Sequence, residues 1–179
     1  FLNNKVEKKY FLAAGRFTSQ KNFFFLSKEI KKFLEKDKDY QLLIAGEGEE
    51  KSKIIRYINK NNLKNKIILL GHVQNLFYYM SQAEVFILSS LWEDPGFVII
   101  EAATCNLSIV SSNCSNGPKE FLMNGDAGIL FETNKKGSLL HELENYEDDF
   151  KKKVFAKKNS MKYTNFRHFK KLNAIITQM

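Results

Sequence analysis

The run Glu84-Val85-Phe86-Ile87-Leu88, the loop Ser89-Ser90-Leu91-Trp92-Glu93-Asp94-Pro95-Gly96 and the run Phe97-Val98-Ile99-Ile100-Glu101-Ala102-Ala103-Thr104 decide the fold. The first is short and apolar on nearly every residue, which reads as a strand covered on both faces. The loop closes on Pro-Gly, a turn signal, and the third run reads as a helix that starts there.

The same unit recurs on either side. Residues 10–14 are an apolar run ended by Gly15, and 23–34 carry Phe23, Leu26, Ile30, Phe33 and Leu34 at helical spacing. Residues 41–45 read as a strand closed by Gly46-Glu47-Gly48, and 51–62 as a helix around Ile54, Ile55 and Ile58. A strand at 67–70, ended by Gly71, precedes a short helix at 75–82. Downstream come a strand at 107–110, a helix at 117–123 opening at Gly117-Pro118, and a last strand at 128–131. Strand, Gly-rich turn and helix in repetition predict an α/β protein with a single Rossmann-like doubly wound parallel sheet. Ligands of such sheets sit beyond the carboxyl ends of the strands, where helix N-termini point. Chemistry is therefore expected just after each strand.

Composition sets outer bounds. The chain has 179 residues, 44% hydrophobic and 27% charged, which fits one globular domain. No apolar stretch approaches the roughly 18 to 20 residues of a spanning helix. The first nine residues form no secretory signal and lack a leading Met, as expected of a chain cut from something longer. Cys105 and Cys114 belong to no CxxC pair and no His cluster, and read as reduced thiols of a cytoplasmic protein. Of the net +8, the segment 151–179 carries nine Lys and Arg and no acid, so residues 1–150 are close to neutral. A basic tail on a neutral domain, with no stacking platform, argues against nucleic acid. It is either a solvated helix face or one turned to an anionic acceptor or anionic membrane headgroups. Within it Tyr163, Phe166, Phe169, Leu172 and Ile176 predict one amphipathic helix.

Three post-strand segments carry candidate chemistry. Gly15-Arg16-Phe17-Thr18-Ser19-Gln20-Lys21-Asn22 places two cations around a loop that opens a helix, Arg16 as a planar fork for phosphate oxygens and Lys21 as a point charge. Gly46-Glu47-Gly48 is neither a P-loop nor a full dinucleotide fingerprint, and reads as a turn or a phosphate contact. In the third, Glu93 and Glu101 are separated by seven residues across the Pro-Gly turn. Both carboxylates can face one crevice and hold two hydroxylated parts of one ligand, with the amides of Gly96, Phe97 and Val98 forming an anion site between them. Asp37-Lys38-Asp39 matches a metal-binding Asp-x-Asp, but it precedes a strand and so lies away from the crevice; no metal site is expected.

From about residue 10 to 134 these motifs, in this order, resemble the retaining glycosyltransferases of family 4, which have the GT-B fold. The resemblance rests on the G-R-x-x-x-x-K-N loop, the G-x-G turn, the Leu70-Gly71-His72-Val73 segment and the Glu93 to Glu101 spacing followed by A-x-x-C-x-x-x-V. It continues through Asn116-Gly117-Pro118-Lys119-Glu120 and Asn124-Gly125-x-x-Gly128-Ile129-Leu130. It implies that residues 1–179 are the C-terminal, nucleotide-sugar-binding half of such an enzyme, with the N-terminal acceptor domain absent and the last helix crossing back to pack on that domain. Arg16 and Lys21 would hold the diphosphate, Glu93 the sugar hydroxyls and Glu101 the ribose. Main-chain groups near His72 and Val73 would meet the base, and those of Gly96 and Phe97 the phosphate and sugar. No cofactor is implied; a UDP-sugar is favoured over a GDP-sugar as the donor, and a glycan or lipid-linked molecule is the acceptor. The sequence departs from many members at Asp94-Pro95, where Pro95 removes an amide hydrogen. A non-catalytic nucleotide-binding module and a GT-B-fold epimerase are the alternatives.

Overall fold

A computed structural model describes residues 9–94 and 96–176. Pro95, residues 1–8 and residues 177–179 lie outside them. Six strands form one parallel sheet: β1 (Lys9–Ala14), β2 (Tyr40–Ala45), β3 (Ile67–Gly71), β4 (Val85–Leu88), β5 (Ser108–Ser112) and β6 (Ile129–Phe131), in the order β3-β2-β1-β4-β5-β6. The helices are α1 (Phe23–Glu29), α2 (Lys31–Lys36), α3 (Lys51–Lys60), α4 (Leu76–Met80), α5 (Phe97–Thr104), α6 (Pro118–Phe121), α7 (Ser138–Glu144), α8 (Phe150–Ser160) and α9 (Asn165–Ile176).

The continuous apolar runs follow from burial on both faces. Phe11 and Ala13 of β1, with Leu42, Ile44, Val85 and Ile87, join the core under α1, α2, α3 and α7 through Leu26, Leu34, Ile54 and Leu139. Tyr10, Leu12 and Ala14, with Leu43, Phe86 and Leu88, join the opposite core under α4, α5, α6 and α8 through Met80, Ala102, Phe121 and Ala156. Two cores on one sheet make the doubly wound architecture that the sequence predicts.

Several boundaries differ from expectation for local reasons. The helix expected over 23–34 is two, α1 and α2, meeting at Ile30. Within α1, in the turn before that junction, the Ser27 hydroxyl donates to the Phe23 carbonyl at 2.8 Å, a back-bond that competes with regular helix bonding. The helix expected over 117–123 stops at Phe121. Met123 and Asn124 take left-handed φ of 53° and 56°, which turns the chain toward β6. Tyr163 belongs to a separate 3-10 turn, Met161–Tyr163, and α9 begins at Asn165; the side chains of Phe166 and Leu172 lie outside the described residues. Cys105 is half-buried and Cys114 buried, both free, and burial raises both thiol pKa values.

Candidate active site at the turning point of the sheet

β2 and β4 flank β1 on opposite sides, and the helices that follow β1 and β4 cover opposite faces. The two loops leaving the carboxyl ends of β1 and β4 therefore diverge and open a crevice between them. That places residues 15–22 beside residues 89–94.

The first loop is seated on the second Gly-rich turn. Gly15 N–H donates to the Ala45 carbonyl at 3.0 Å, Phe17 N–H to the Glu47 carbonyl at 2.8 Å and Glu50 N–H to the Phe17 carbonyl at 2.9 Å. The Phe17 ring is fully buried. A Cβ on Gly48 would come within 2.5 Å of the Phe17 carbonyl oxygen and 2.7 Å of its nitrogen. Gly48 is thus required by close backbone approach.

The first loop is also latched to the loop after β4. Leu91 N–H donates to the Gln20 carbonyl at 2.8 Å, the Ser89 hydroxyl to the Lys21 carbonyl at 2.8 Å and Gln20 Nε2 to the Trp92 carbonyl at 3.0 Å. Lys21 Nζ then reaches Glu93 Oε1 at 2.6 Å and Oε2 at 2.8 Å. The Glu93 side chain is 3% exposed and that of Lys21 17%, so this is a largely dry ion pair. The buried Ser90 hydroxyl also donates to Glu93 Oε1, and Ser112 holds Ser90 in turn by donating to its carbonyl at 2.6 Å. Beyond the pair, Gly96 caps α5 at φ 49° and ψ 48°, where a Cβ would press on Glu93 Cγ at 3.2 Å. The first amides of α5 have no internal partner by helix geometry and carry partial positive charge.

An open cleft of about 310 Å³ runs along this arrangement, with Gly15, Lys21, Leu76, Glu93, Gly96 and Phe97 in its wall. Four of the residues singled out in the sequence, Lys21, Glu93, Gly96 and Phe97, thus meet in one place. Three stand outside the wall. Arg16 is exposed on the adjacent loop, and Val73 is half-buried in the core beneath α4 and α5. Glu101 is half-buried one turn past Phe97 and Val98, on the same side of α5. Burial raises the Glu101 carboxyl pKa, and among the described residues no hydrogen bond or ion pair reaches that carboxylate. Asp37 and Asp39 sit just before β2, at the amino edge of the sheet, where Asp39 N–H donates to Asp37 Oδ1 at 2.9 Å. Pro95 lies outside the described residues, so its effect on the loop is not part of this geometry.

Residue-by-residue reading misses Ser89, Ser90 and Gln20. Two serines ending an apolar strand were the available signal, because buried hydroxyls need partners. Valence counting then defines what the site can hold. An ammonium has three protons; two go to Glu93 and one is left for an anion in the cleft. A carboxylate has about four acceptor positions; Lys21 and Ser90 occupy three, which leaves about one for a ligand hydroxyl. The arrangement suits an anionic group bonded to a hydroxylated one.

Comparison with known proteins gives the same direction. An uncharacterized glycosyltransferase of Methanocaldococcus jannaschii is 39% identical over 129 residues, 67% of this chain and 32% of its own length. The N-acetylgalactosamine-N,N'-diacetylbacillosaminyl-diphospho-undecaprenol 4-alpha-N-acetylgalactosaminyltransferase of Campylobacter jejuni is 30% identical over 154 residues, 86% of this chain and 41% of its own. Among solved structures, the pneumococcal O-GlcNAc transferase GtfA in complex with UDP and GlcNAc shares the fold, with a TM-score of 0.83 at 18% identity over 96% of this chain and 36% of that one. The chain spans about a third to two fifths of the length of these relatives. The family model for group 1 glycosyl transferases matches residues 1–163. With nine-tenths of its length matched and its cleft at the turning point of a doubly wound sheet, the chain belongs to the group 1 glycosyl transferases.

Proposed function

We propose that the chain is the sugar-donor-binding half of a retaining, family 4 glycosyltransferase of GT-B fold. It moves a sugar from a nucleoside diphosphate to a glycan or lipid-linked acceptor. The observation that carries this reading is the Lys21–Glu93 pair, buried beside the start of α5 at the turning point of the sheet. The free Lys21 proton and the first amides of α5 meet the diphosphate, and Arg16 reaches it from the adjacent loop. The remaining acceptor position of Glu93 takes a sugar hydroxyl. Glu101 serves the ribose, and the main chain at Val73 the base. As the bond between the anomeric carbon and the diphosphate breaks, negative charge grows on the leaving group. Prepositioned cations and amides stabilise it there more than in the ground state. No metal is required by this scheme, and the Asp37/Asp39 pair stands at the opposite edge of the sheet.

The UDP held by the pneumococcal neighbour supports UDP over GDP as the carrier. The Campylobacter relative's diphospho-undecaprenol acceptor supports a lipid-linked one, met at the cytoplasmic face of the membrane. The second wall of the cleft and most of the acceptor site come from an N-terminal domain, so residues 1–179 alone bind the sugar donor and do not transfer it. NMR of the product made by the full-length protein tests the reading. An anomeric configuration equal to that of the donor is expected, and an inverted product, or transfer by residues 1–179 alone, contradicts it.

A further inference from the structure

The basic C-terminal segment has no place in the scheme above. The inner face of α8 is packed: Ala156, Asn159 and Ser160 are buried, and Asn159 Nδ2 donates to the Phe121 carbonyl at 2.6 Å. Its outer face carries Phe150 and Val154, exposed by 69% and 40%, and Met161, its C-cap and the first residue of the 3-10 turn, continues that face at 57%. At about 100° per residue these three lie within about 40° of one another. Exposed Lys157 borders the stripe on one side and exposed Lys151 and Lys158 on the other, with Phe155 beyond them, itself 46% exposed.

Of the acids that directly precede the helix, Glu147 is exposed, while Asp148 and Asp149 are engaged locally. Asp148 accepts from Lys153 at 2.6 Å, from Ser108 at 3.0 Å and from Tyr146 at 3.3 Å, and Asp149 caps the amides of Lys151 and Lys152. No acid follows from Phe150 to the end of the chain. Cores of protein–protein interfaces are depleted in Lys. Lys on both sides of an exposed apolar stripe complements anionic headgroups above an acyl boundary, the long side chains reaching up to the phosphates.

We propose that the outer face of α8 docks on an anionic lipid bilayer, with Phe150, Val154 and Met161 at the acyl boundary and Lys151, Lys157 and Lys158 on headgroup phosphates. The proposal deepens the functional reading, since a lipid-linked acceptor is met at a bilayer, but it is tested without any sugar donor. Full-length protein is sedimented with vesicles of phosphatidylcholine alone or mixed with phosphatidylglycerol, at low and high salt.

Binding is expected only to the mixed vesicles and is expected to fall with salt. The double variant Lys151→Gln/Lys158→Gln should weaken it about tenfold, and Phe150→Ser/Val154→Ser by a similar factor. All four positions are solvent-exposed in residues 1–179; an unchanged melting temperature and UDP affinity of the full-length variants is the control that no other part of the protein covers them. Three results would overturn the proposal: no binding to the mixed vesicles, binding indifferent to the Phe150/Val154 change, or a dimer that this change dissolves. Calorimetry on the same preparations keeps the two readings apart: vesicle binding without UDP binding would remove the functional reading and leave the docking face standing.

Discussion

Ser90 and Glu101 show how two side chains near one cleft carry opposite costs. Ser90 is fully buried and directs its hydroxyl at Glu93, so it positions the carboxylate without reaching the cleft. Ser90→Ala frees Glu93 to rotate about its contact with Lys21. Turnover and sugar-nucleotide affinity of the full-length enzyme should fall about tenfold, the low end for a hydrogen bond to a charged group. UDP affinity, which the proposed function assigns to Lys21 and the α5 amides, should stay within about twofold; equal losses for UDP and the sugar nucleotide would rule out the positioning role. The Glu101 carboxylate instead has no hydrogen-bond or ion-pair partner among the described residues, and burial lifts its carboxyl above the ordinary 4.5. The folded state therefore holds that proton more tightly than the unfolded chain does. The resulting stability is fully present below pH 4.5 and is lost as pH rises through the raised value. Glu101→Gln should accordingly melt above the parent at pH 7, with the gap closing toward pH 4. The same change should weaken UDP binding at least tenfold if the carboxylate holds the ribose. A variant no more stable than the parent at pH 7 would contradict the burial argument.

Among the elements, the three loops at the carboxyl edge stand or fall together, because each is a backbone partner of the next. Gly46 and Gly48 both show the coupling, a Cβ at Gly46 falling 1.9 Å from the Gly15 carbonyl oxygen and one at Gly48 falling 2.5 Å from that of Phe17. A methyl group at Gly48 overlaps the main chain of Phe17, so Gly48→Ala must push apart the two loops. Its cost should be about 2 kcal/mol, the middle of the range for overpacking. Gly137, at φ 81° with open space around it, is the control; alanine there costs only about 1 kcal/mol of left-handed strain. Urea denaturation should rank the two in that order, and only Gly48→Ala should weaken UDP binding, through displacement of Lys21. The reverse ranking would mean that the loops are not coupled.

For the molecule as a whole, what could be read from residues alone was whatever repeats locally. Each strand was found by its apolar run and each loop by its glycine, because both signals lie within a few residues. The loops carrying Lys21 and Glu93 were found the same way. Their pairing was not, since 72 residues separate them and nothing in either loop names the other. Lys21 read as a phosphate ligand only; the fold adds a second role, neutralising a carboxylate that is too buried to stand unpaired. The division at Ile30 escaped because Leu26, Ile30, Phe33 and Leu34 keep the helical apolar spacing straight across it.

In the proposed function, the crevice between the β1 and β4 loops holds a nucleoside diphosphate through Lys21 and the start of α5. Titration calorimetry with UDP in EDTA tests it most directly, on the parent, on Lys21→Met, and on Lys21→Met combined with Glu93→Gln, which leaves no buried charge unpaired. Measurable UDP binding by the parent without divalent metal is expected, with at least tenfold weaker binding by both variants. Binding that is lost in EDTA and restored by magnesium, or affinity unchanged in the double variant, would contradict it.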